Sequence, residues 1–263
     1  MSLIKYVNSS GFPLQLALAN LVKNTDGWSV LYEEHNWIHD EDNGFIDIVI
    51  EDTSKTWLMN IECKRVKDTK WIFLRDKSKV HRRRYTKVWV SSKKANEDSF
   101  IFFGWLDIVM EPNIPQSSYC VVPGQDAKAR PMLERIAAIV VKSTEALAKQ
   151  ETETLSNRYS DLRIYQNVII TTAELYLCDT DVEKINITAG EIDESSEFTM
   201  VPYLRFRKQV GAEVTISNPA NDINELEKIT TNKESTVFIV NSAHLGEFLE
   251  ECEMPEDLRD FIL

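Results

Sequence analysis

Two apolar segments joined by a short polar connection constrain the fold of this chain most strongly. Residues 44–51 (GFIDIVIE) and 56–64 (TWLMNIECK) have the length and the aliphatic content of buried strands, and the polar residues 52–55 (DTSK) lie between them. This pattern predicts a β-hairpin with a loop from Thr53 to Thr56. In that register Asp47 lies opposite Glu62, with Cβ atoms about 5 Å apart on one face of the sheet.

The predicted hairpin brings like charges together. Lys64 lies two residues beyond Glu62 and is therefore expected on the same face as Asp47 and Glu62. Two neighbouring carboxylates in an apolar setting must be protonated, move outward or share a cation. Mg²⁺, for which Mn²⁺ can substitute, suits carboxylate oxygens and leaves positions for water and phosphate. The alternative is a structural ion pair between Lys64 and one of the two acids.

The rest of the chain predicts a mixture of helices and strands. A helix is expected over 12–25, where Pro13 precedes an apolar stripe and Gly27 follows, and a longer helix from Pro131 to about Glu153. Further strands are expected at 28–34, 100–110, 119–122, 167–178, 198–207 and 236–241, a helical stretch around 76–87 and a short helix over 243–252. We therefore expect one α+β domain, with a core over 1–180 and a C-terminal β/α extension over 181–263 that packs on it.

The order of these elements resembles the PD-(D/E)xK superfamily, which has the restriction-endonuclease-like fold. The resemblance covers roughly residues 12–178 and consists of a helix, a strand, a strand with an aspartate, the "IECK" strand, a helix and a strand. It implies an αβββαβ core, that is, a mixed central sheet flanked by helices. It also implies a metal-dependent nuclease.

The same resemblance implies roles for individual residues. Asp47, Glu62 and Lys64 correspond to the residues that bind Mg²⁺ and activate water in that superfamily. Many members carry another acid earlier, for which Glu33 and Glu34 are the candidates here, and Glu34 is preferred. Ile46 replaces the proline of the motif, and Cys63 fills its variable position, where the backbone carbonyl could be a further metal ligand.

The charge distribution gives a prediction about partners. The chain has a net charge of −12, but the stretch from Lys64 to Lys94 contains 13 Lys and Arg against two acids. Such a basic segment can attract phosphates, or it can form a solvated face paired with the acidic remainder. Within it, Arg82, Arg83, Arg84 and Tyr85 are candidates for contacts with the DNA backbone and bases. Arg205 and Arg207 are expected to point outward from a strand.

These observations predict a magnesium-dependent nuclease, and they favour DNA over RNA as its substrate. The alternative is an inactive protein of the same fold that binds nucleic acid or a protein partner. No apolar run approaches the roughly 20 residues of a membrane span, and the N-terminus lacks the pattern of a secretory signal, so a cytoplasmic location is expected. Cuts in both strands of a duplex would favour a homodimer, although the sequence identifies no interface.

Overall fold

The computed structural model describes residues 3–78, 85–93, 100–125, 129–154, 162–211 and 233–253. The helices are α1 (Leu3–Ser9), α2 (Phe12–Lys23), α3 (Met132–Thr154) and α4 (Leu245–Glu251). The strands are β1 (Trp28–His39), β2 (Asp42–Asp52), β3 (Trp57–Lys64), β4 (Lys70–Asp76), β5 (Tyr85–Lys93), β6 (Phe100–Val109), β7 (Gln116–Ser117), β8 (Tyr119–Val121), β9 (Leu162–Thr171), β10 (Glu174–Thr180), β11 (Glu197–Met200), β12 (Tyr203–Lys208) and β13 (Ser235–Asn241). The predicted α+β class is confirmed.

A mixed sheet forms the centre of the molecule. Its strand order is β1-β2-β3-β9-β13-β12-β7, and β5 pairs with both β6 and the first part of β9. β1, β2 and β3 are antiparallel neighbours, whereas β3 and β13 both run parallel to β9. A parallel pair needs a crossover connection, and the connection from β3 to β9 contains β4 to β8 and α3. The elements α2, β1, β2, β3, α3 and β9 thus follow the αβββαβ order, with an insertion before α3.

Helices cover both faces of this sheet. On one face, Leu18, Ala19 and Val22 of α2 pack into a core that contains Ile48 and Met59. On the other face, the second half of α3 packs through Leu147 and its neighbours against apolar side chains of β2 and β3. Every residue of β9 is buried between these layers, including the polar Arg163, Gln166, Asn167 and Thr171. The apolar positions of β9 contribute to the cores on both faces.

A smaller sheet extends beyond the carboxyl ends of β3 and β9. Its order is β11-β10-β4-β8, and its parallel pair β4–β10 follows directly on the parallel pair β3–β9. Hydrogen bonds between Val66 and Thr172 join the two pairs. Trp71, Phe73 and Leu175 fill a core against the first half of α3. The smaller sheet is therefore built on the edge where β3 ends.

The C-terminal part of the chain contributes to the central sheet. β13 lies beside β9, and β12 pairs with the other edge of β13. Arg205 and Arg207 in β12 are 1% and 7% exposed, so the prediction that they point outward is wrong. Arg205 donates to the carbonyls of Met110 and Pro112, and Arg207 pairs with Asp107 and Glu234. Their burial is compensated by these acceptors, which the sequence pattern did not reveal.

Several predicted elements differ from the structure. The helical stretch predicted around 76–87 is wrong for 85–87, because those residues begin β5, which pairs with β6. The single strands expected over 167–178 and 198–207 are each two strands separated by a short turn. α1 and β4 were not predicted. Among the helices of the described ranges, none is long and apolar enough to cross a membrane.

Candidate active site

The β2–β3 hairpin has the predicted register. Ile48 pairs with Ile61, and the pairing continues to Glu51 and Leu58, with residues 53–56 as the loop. Asp52 stabilises this loop, because its carboxylate accepts hydrogen bonds from the backbone amides of Thr56 and Trp57. Asp47 and Glu62 are the next residues beyond the Ile48–Ile61 pair, so the hairpin brings the two predicted acids together.

Regular pairing between β2 and β3 ends at these acids. The carboxylate of Asp47 accepts a hydrogen bond of 2.7 Å from the backbone amide of Cys63. The backbone carbonyl of Asp47 accepts a bond of 2.9 Å from the side-chain amide of Gln15 in α2. At this point, hydrogen bonds with side chains replace the backbone hydrogen bonds between β2 and β3. The Cys63 amide and the Asp47 carbonyl therefore keep partners although the strands no longer pair.

β1 reverses its faces beside Asp47. Glu33 pairs with Lys23 of α2, whereas His35 contacts Gln150 of α3 on the opposite side of the sheet. In a regular strand, residues two positions apart share a face. Glu34, between them, has a left-handed backbone with φ of 51°, a conformation that is uncommon for a residue other than glycine. The left-handed residue thus lies at the point of reversal.

β2 reverses at the paired position. Ile48 packs in the core that contains Leu18 of α2, whereas Ile46 packs in the core that contains Leu147 of α3. The β1–β2 pairs on either side, Glu33 with Ile48 and His35 with Ile46, place Glu34 opposite Asp47. Glu34, Asp47 and Glu62 therefore lie on three adjacent strands. The faces of β1 and β2 reverse at Glu34 and Asp47, so these two residues interrupt the regular alternation of side chains.

The electrostatics of the site are dominated by buried negative charge. Burial, with smaller contributions from the carboxylates of Asp47 and Glu34, raises the pKa of Glu62 from its ordinary value of 4.5 to about 7, although the positive charge of Lys64 opposes the increase. Burial also raises the pKa of Asp47, against the hydrogen bond from the Cys63 amide and the positive charge of Lys64. Lys64 acts on both acids through its charge and forms no direct salt bridge with either within the described residues. The predicted alternative of a simple ion pair thus has no direct contact to support it.

The donor set suits a hard divalent cation. Among the described residues, the carboxylates of Glu34 and Asp47 and the ammonium group of Lys64 are the charges that act on Glu62, and a cation of charge two would balance the excess of acids. Burial raises the pKa of the Cys63 thiol, so the neutral side chain is a poor ligand and only the backbone carbonyl of Cys63 remains a candidate. In the described ranges, however, no three His, Cys, Asp or Glu side chains are gathered around one point as metal ligands. Asp47 and Glu62 are therefore the two candidate ligands that the fold places together.

The predicted nucleic-acid residues are only partly described. Arg82, Arg83 and Arg84 lie outside the described residues. Tyr85 begins β5 and is 43% exposed, and β9 lies between β5 and the acid-bearing β3. The backbone carbonyl of Tyr85 accepts a hydrogen bond from Arg207. The described geometry therefore does not bring Tyr85 to the acids.

Much of the described part of the basic segment is paired with acids from elsewhere in the chain. These pairs are Lys70 with Glu174, Arg75 with Asp179, Lys77 with Glu197 and Lys87 with Asp107. Lys87 is only 2% exposed and belongs to the interior. This pairing agrees with the second interpretation of the basic segment, in which its charge is balanced by the acidic remainder.

Gln15 is the site residue that the sequence did not predict. It lies on the buried face of α2 with Leu18, Ala19 and Val22, and its amide also donates to the carboxylate of Glu34 at 2.5 Å. A signal was present, because a glutamine three residues before Leu18 occupies a position that the helical pattern reserves for apolar side chains.

No family model, no curated protein and no solved structure matches this chain. The chemistry of the site is therefore the available guide to function.

Proposed function

We propose that the protein is a magnesium-dependent nuclease that hydrolyses phosphodiester bonds, with DNA as the favoured substrate. The observation that carries this proposal is the pair of half-buried carboxylates, Asp47 and Glu62, where the ladder between β2 and β3 ends. A fold gains nothing in stability from two neighbouring acids in a poorly solvated position. Such an arrangement is typical of a site whose charge is completed by a ligand.

Each residue has a chemical role in this proposal. Asp47 and Glu62 would hold Mg²⁺, which could be replaced by Mn²⁺, and the backbone carbonyl of Cys63 is a further candidate ligand. The bound cation would stabilise negative charge on the phosphate that is attacked. Lys64, at the end of β3, would orient the attacking water and assist its deprotonation. Asp47 is held ready for its role because the Cys63 amide fixes one of its oxygens.

The order of secondary structure agrees with this proposal. The αβββαβ elements, with β3 parallel to β9 and helices on both faces, match the arrangement that the resemblance to the PD-(D/E)xK superfamily implies. In this interpretation β4 to β8 are an insertion between the acid-bearing strand and α3. The smaller sheet begins at the edge where Lys64 lies, and in this proposal it would contact a substrate that extends from the site.

Calorimetry with Mg²⁺ or Mn²⁺ tests the metal site directly. Wild-type protein is expected to bind the cation, and Asp47→Ala and Glu62→Ala are expected to lose binding. Lys64→Ala is expected to keep metal binding but to lose metal-dependent cleavage of single-stranded and duplex DNA in the same buffer. Glu33→Ala is the matched control, since Glu33 is exposed and pairs with Lys23. A folded wild-type protein without metal binding would contradict the proposal.

A second candidate is a protein of the same fold that binds nucleic acid or a protein partner without cleaving. It is favoured by the absence, among the described side chains, of three acids gathered as metal ligands. DNA binding that is unaffected by Mg²⁺ and never followed by cleavage would support this candidate. A homodimer also remains a prediction, which light scattering of the wild-type protein with and without DNA would test.

A further inference from the structure

Gln15 is a buried polar side chain with two acceptors in the candidate site. It is 8% exposed and lies in α2 among apolar residues. Burying an amide group without hydrogen bonds is unfavourable, so a glutamine is retained at such a position only where its donors are used. Its side-chain nitrogen donates to the Glu34 carboxylate at 2.5 Å and to the Asp47 carbonyl at 2.9 Å.

Both acceptors lie where the β1–β2 pair reverses its faces. Glu34 has the left-handed backbone, and Asp47 is the residue opposite to it. Glu34 is exposed, so without a partner its long side chain would be free to rotate into solvent. The bond to Gln15 keeps one carboxylate oxygen of Glu34 fixed and leaves the other oxygen available.

We propose that Gln15 is a positioning residue that fixes the Glu34 carboxylate beside Asp47, so that the negative charge of Glu34 strengthens the attraction of Asp47 and Glu62 for the divalent cation. This inference rests on the proposed nuclease function. The residue type fits the task, because an amide donates two hydrogen bonds without changing the charge of the site. A lysine would neutralise one of the acids, and a glutamate would add another carboxylate without a donor.

The amide also links the helix to the site. One nitrogen atom joins α2 to β1 through Glu34 and to β2 through Asp47. Residues that orient metal ligands in this way influence metal affinity by about 10-fold to 100-fold. The orientation of α2 is itself fixed by the apolar core beneath it, which includes Leu18 and Val22. The position of Glu34 is thus determined by the packed interior rather than by an exposed loop.

A double-mutant cycle measured by Mg²⁺ calorimetry tests this role. Gln15→Met keeps the length of the side chain but removes both donors, and Glu34→Gln removes the charge that Gln15 is proposed to hold. Gln15→Met is expected to weaken Mg²⁺ binding about 10-fold in the wild-type background and less than about 2-fold in the Glu34→Gln background. Asn20→Met, on the exposed side of α2, is the control and is expected to leave binding unchanged.

Folding and substrate affinity are measured on the same proteins. Urea unfolding identifies any variant that is destabilised, and Gln15→Leu provides a second uncharged variant without donors if Gln15→Met folds poorly. In cleavage assays, Gln15→Met is expected to raise the Mg²⁺ concentration needed for half-maximal rate while the KM for DNA stays unchanged. A purely structural role would affect stability without this selective change.

The outcomes separate the two proposals. Wild-type binding of Mg²⁺ with equal affinity in Gln15→Met overturns the positioning role alone. An equal loss in both backgrounds also overturns it, because Gln15 would then act independently of the Glu34 charge. A folded wild-type protein that binds no Mg²⁺ overturns the proposed function and the role of Gln15 together.

Discussion

Replacing Glu62 by glutamine is expected to stabilise the metal-free protein in a pH-dependent way. The pKa of Glu62 is about 7 in the folded protein and 4.5 ordinarily. Between these values the folded protein retains a proton that the unfolded chain has released, so stability falls as the pH rises through this window. The pKa difference of about 2.5 corresponds to roughly 3 kcal/mol in the free energy of unfolding, and the wild-type protein loses this full amount only above pH 7. Gln at this position has no charge to bury.

The stability gain of Glu62→Gln over wild type is therefore expected to be about 1.4 kcal/mol near pH 5.5 and about 3 kcal/mol near pH 8.5. Urea unfolding in buffers that contain a chelator gives both values, and comparison of the two proteins at each pH cancels the other titrating groups. Mg²⁺ at about 100 times its dissociation constant should stabilise wild type by about 2.7 kcal/mol and Glu62→Gln by much less.

The control and the refuting result are well defined. Glu33→Gln, at an exposed carboxylate paired with Lys23, is expected to change stability by less than about 1 kcal/mol at either pH. A Glu62→Gln protein whose advantage over wild type is the same at both pH values would show that the Glu62 carboxylate is not confined as the structure indicates. It would remove the main electrostatic argument for a cation at this site.

Three further substitutions, at Glu34, Arg163 and Asn60, test individual contacts of the fold by urea unfolding. Glu34→Gly is expected to be about 1 kcal/mol more stable than Glu34→Ala, because only glycine relieves the left-handed backbone; equal stabilities would contradict that conformation. Arg163→Met is expected to cost about 3–5 kcal/mol, since it leaves Glu51 and Glu151 buried without their cation, and a loss below 1 kcal/mol would argue against this cluster. Asn60→Leu is expected to cost about 1–3 kcal/mol because its amide donates to three acceptors on α3, and an unchanged midpoint would show that these bonds are dispensable.

Local patterns were sufficient to predict the hairpin and the long helix. The polar interruption at 52–55 defined the loop, and the apolar runs on both sides defined the register that pairs Ile48 with Ile61. The spacing of apolar residues after Pro131 similarly predicted α3 to within one residue at each end. In these segments the hydrophobic pattern and the turn chemistry indicate the same structure, so no tertiary information was needed.

The details of the site depend on contacts that a strand pattern does not contain. The prediction that Asp47, Glu62 and Lys64 share one face assumed regular alternation of side chains along the strands, whereas the faces of the β1–β2 pair reverse at the left-handed residue Glu34. The donor that satisfies both residues, Gln15, comes from a helix 32 positions before Asp47. Arg205 was also misplaced, because its acceptors are carbonyls in a distant loop. Long-range partners of this kind are invisible to periodicity.

The position of β13 has a consequence for how the chain is made. This strand is formed by residues 235–241, yet it occupies the interior of the central sheet between β9 and β12. During synthesis, β9 emerges from the ribosome before residues 235–241 do. The backbone groups on the edge of β9 that β13 later covers are therefore unpaired during this interval. Sheets that depend on such distant pairings form slowly, and an open edge can join another chain. Until residues 235–241 have been synthesised, this edge of β9 remains available for pairing with another chain.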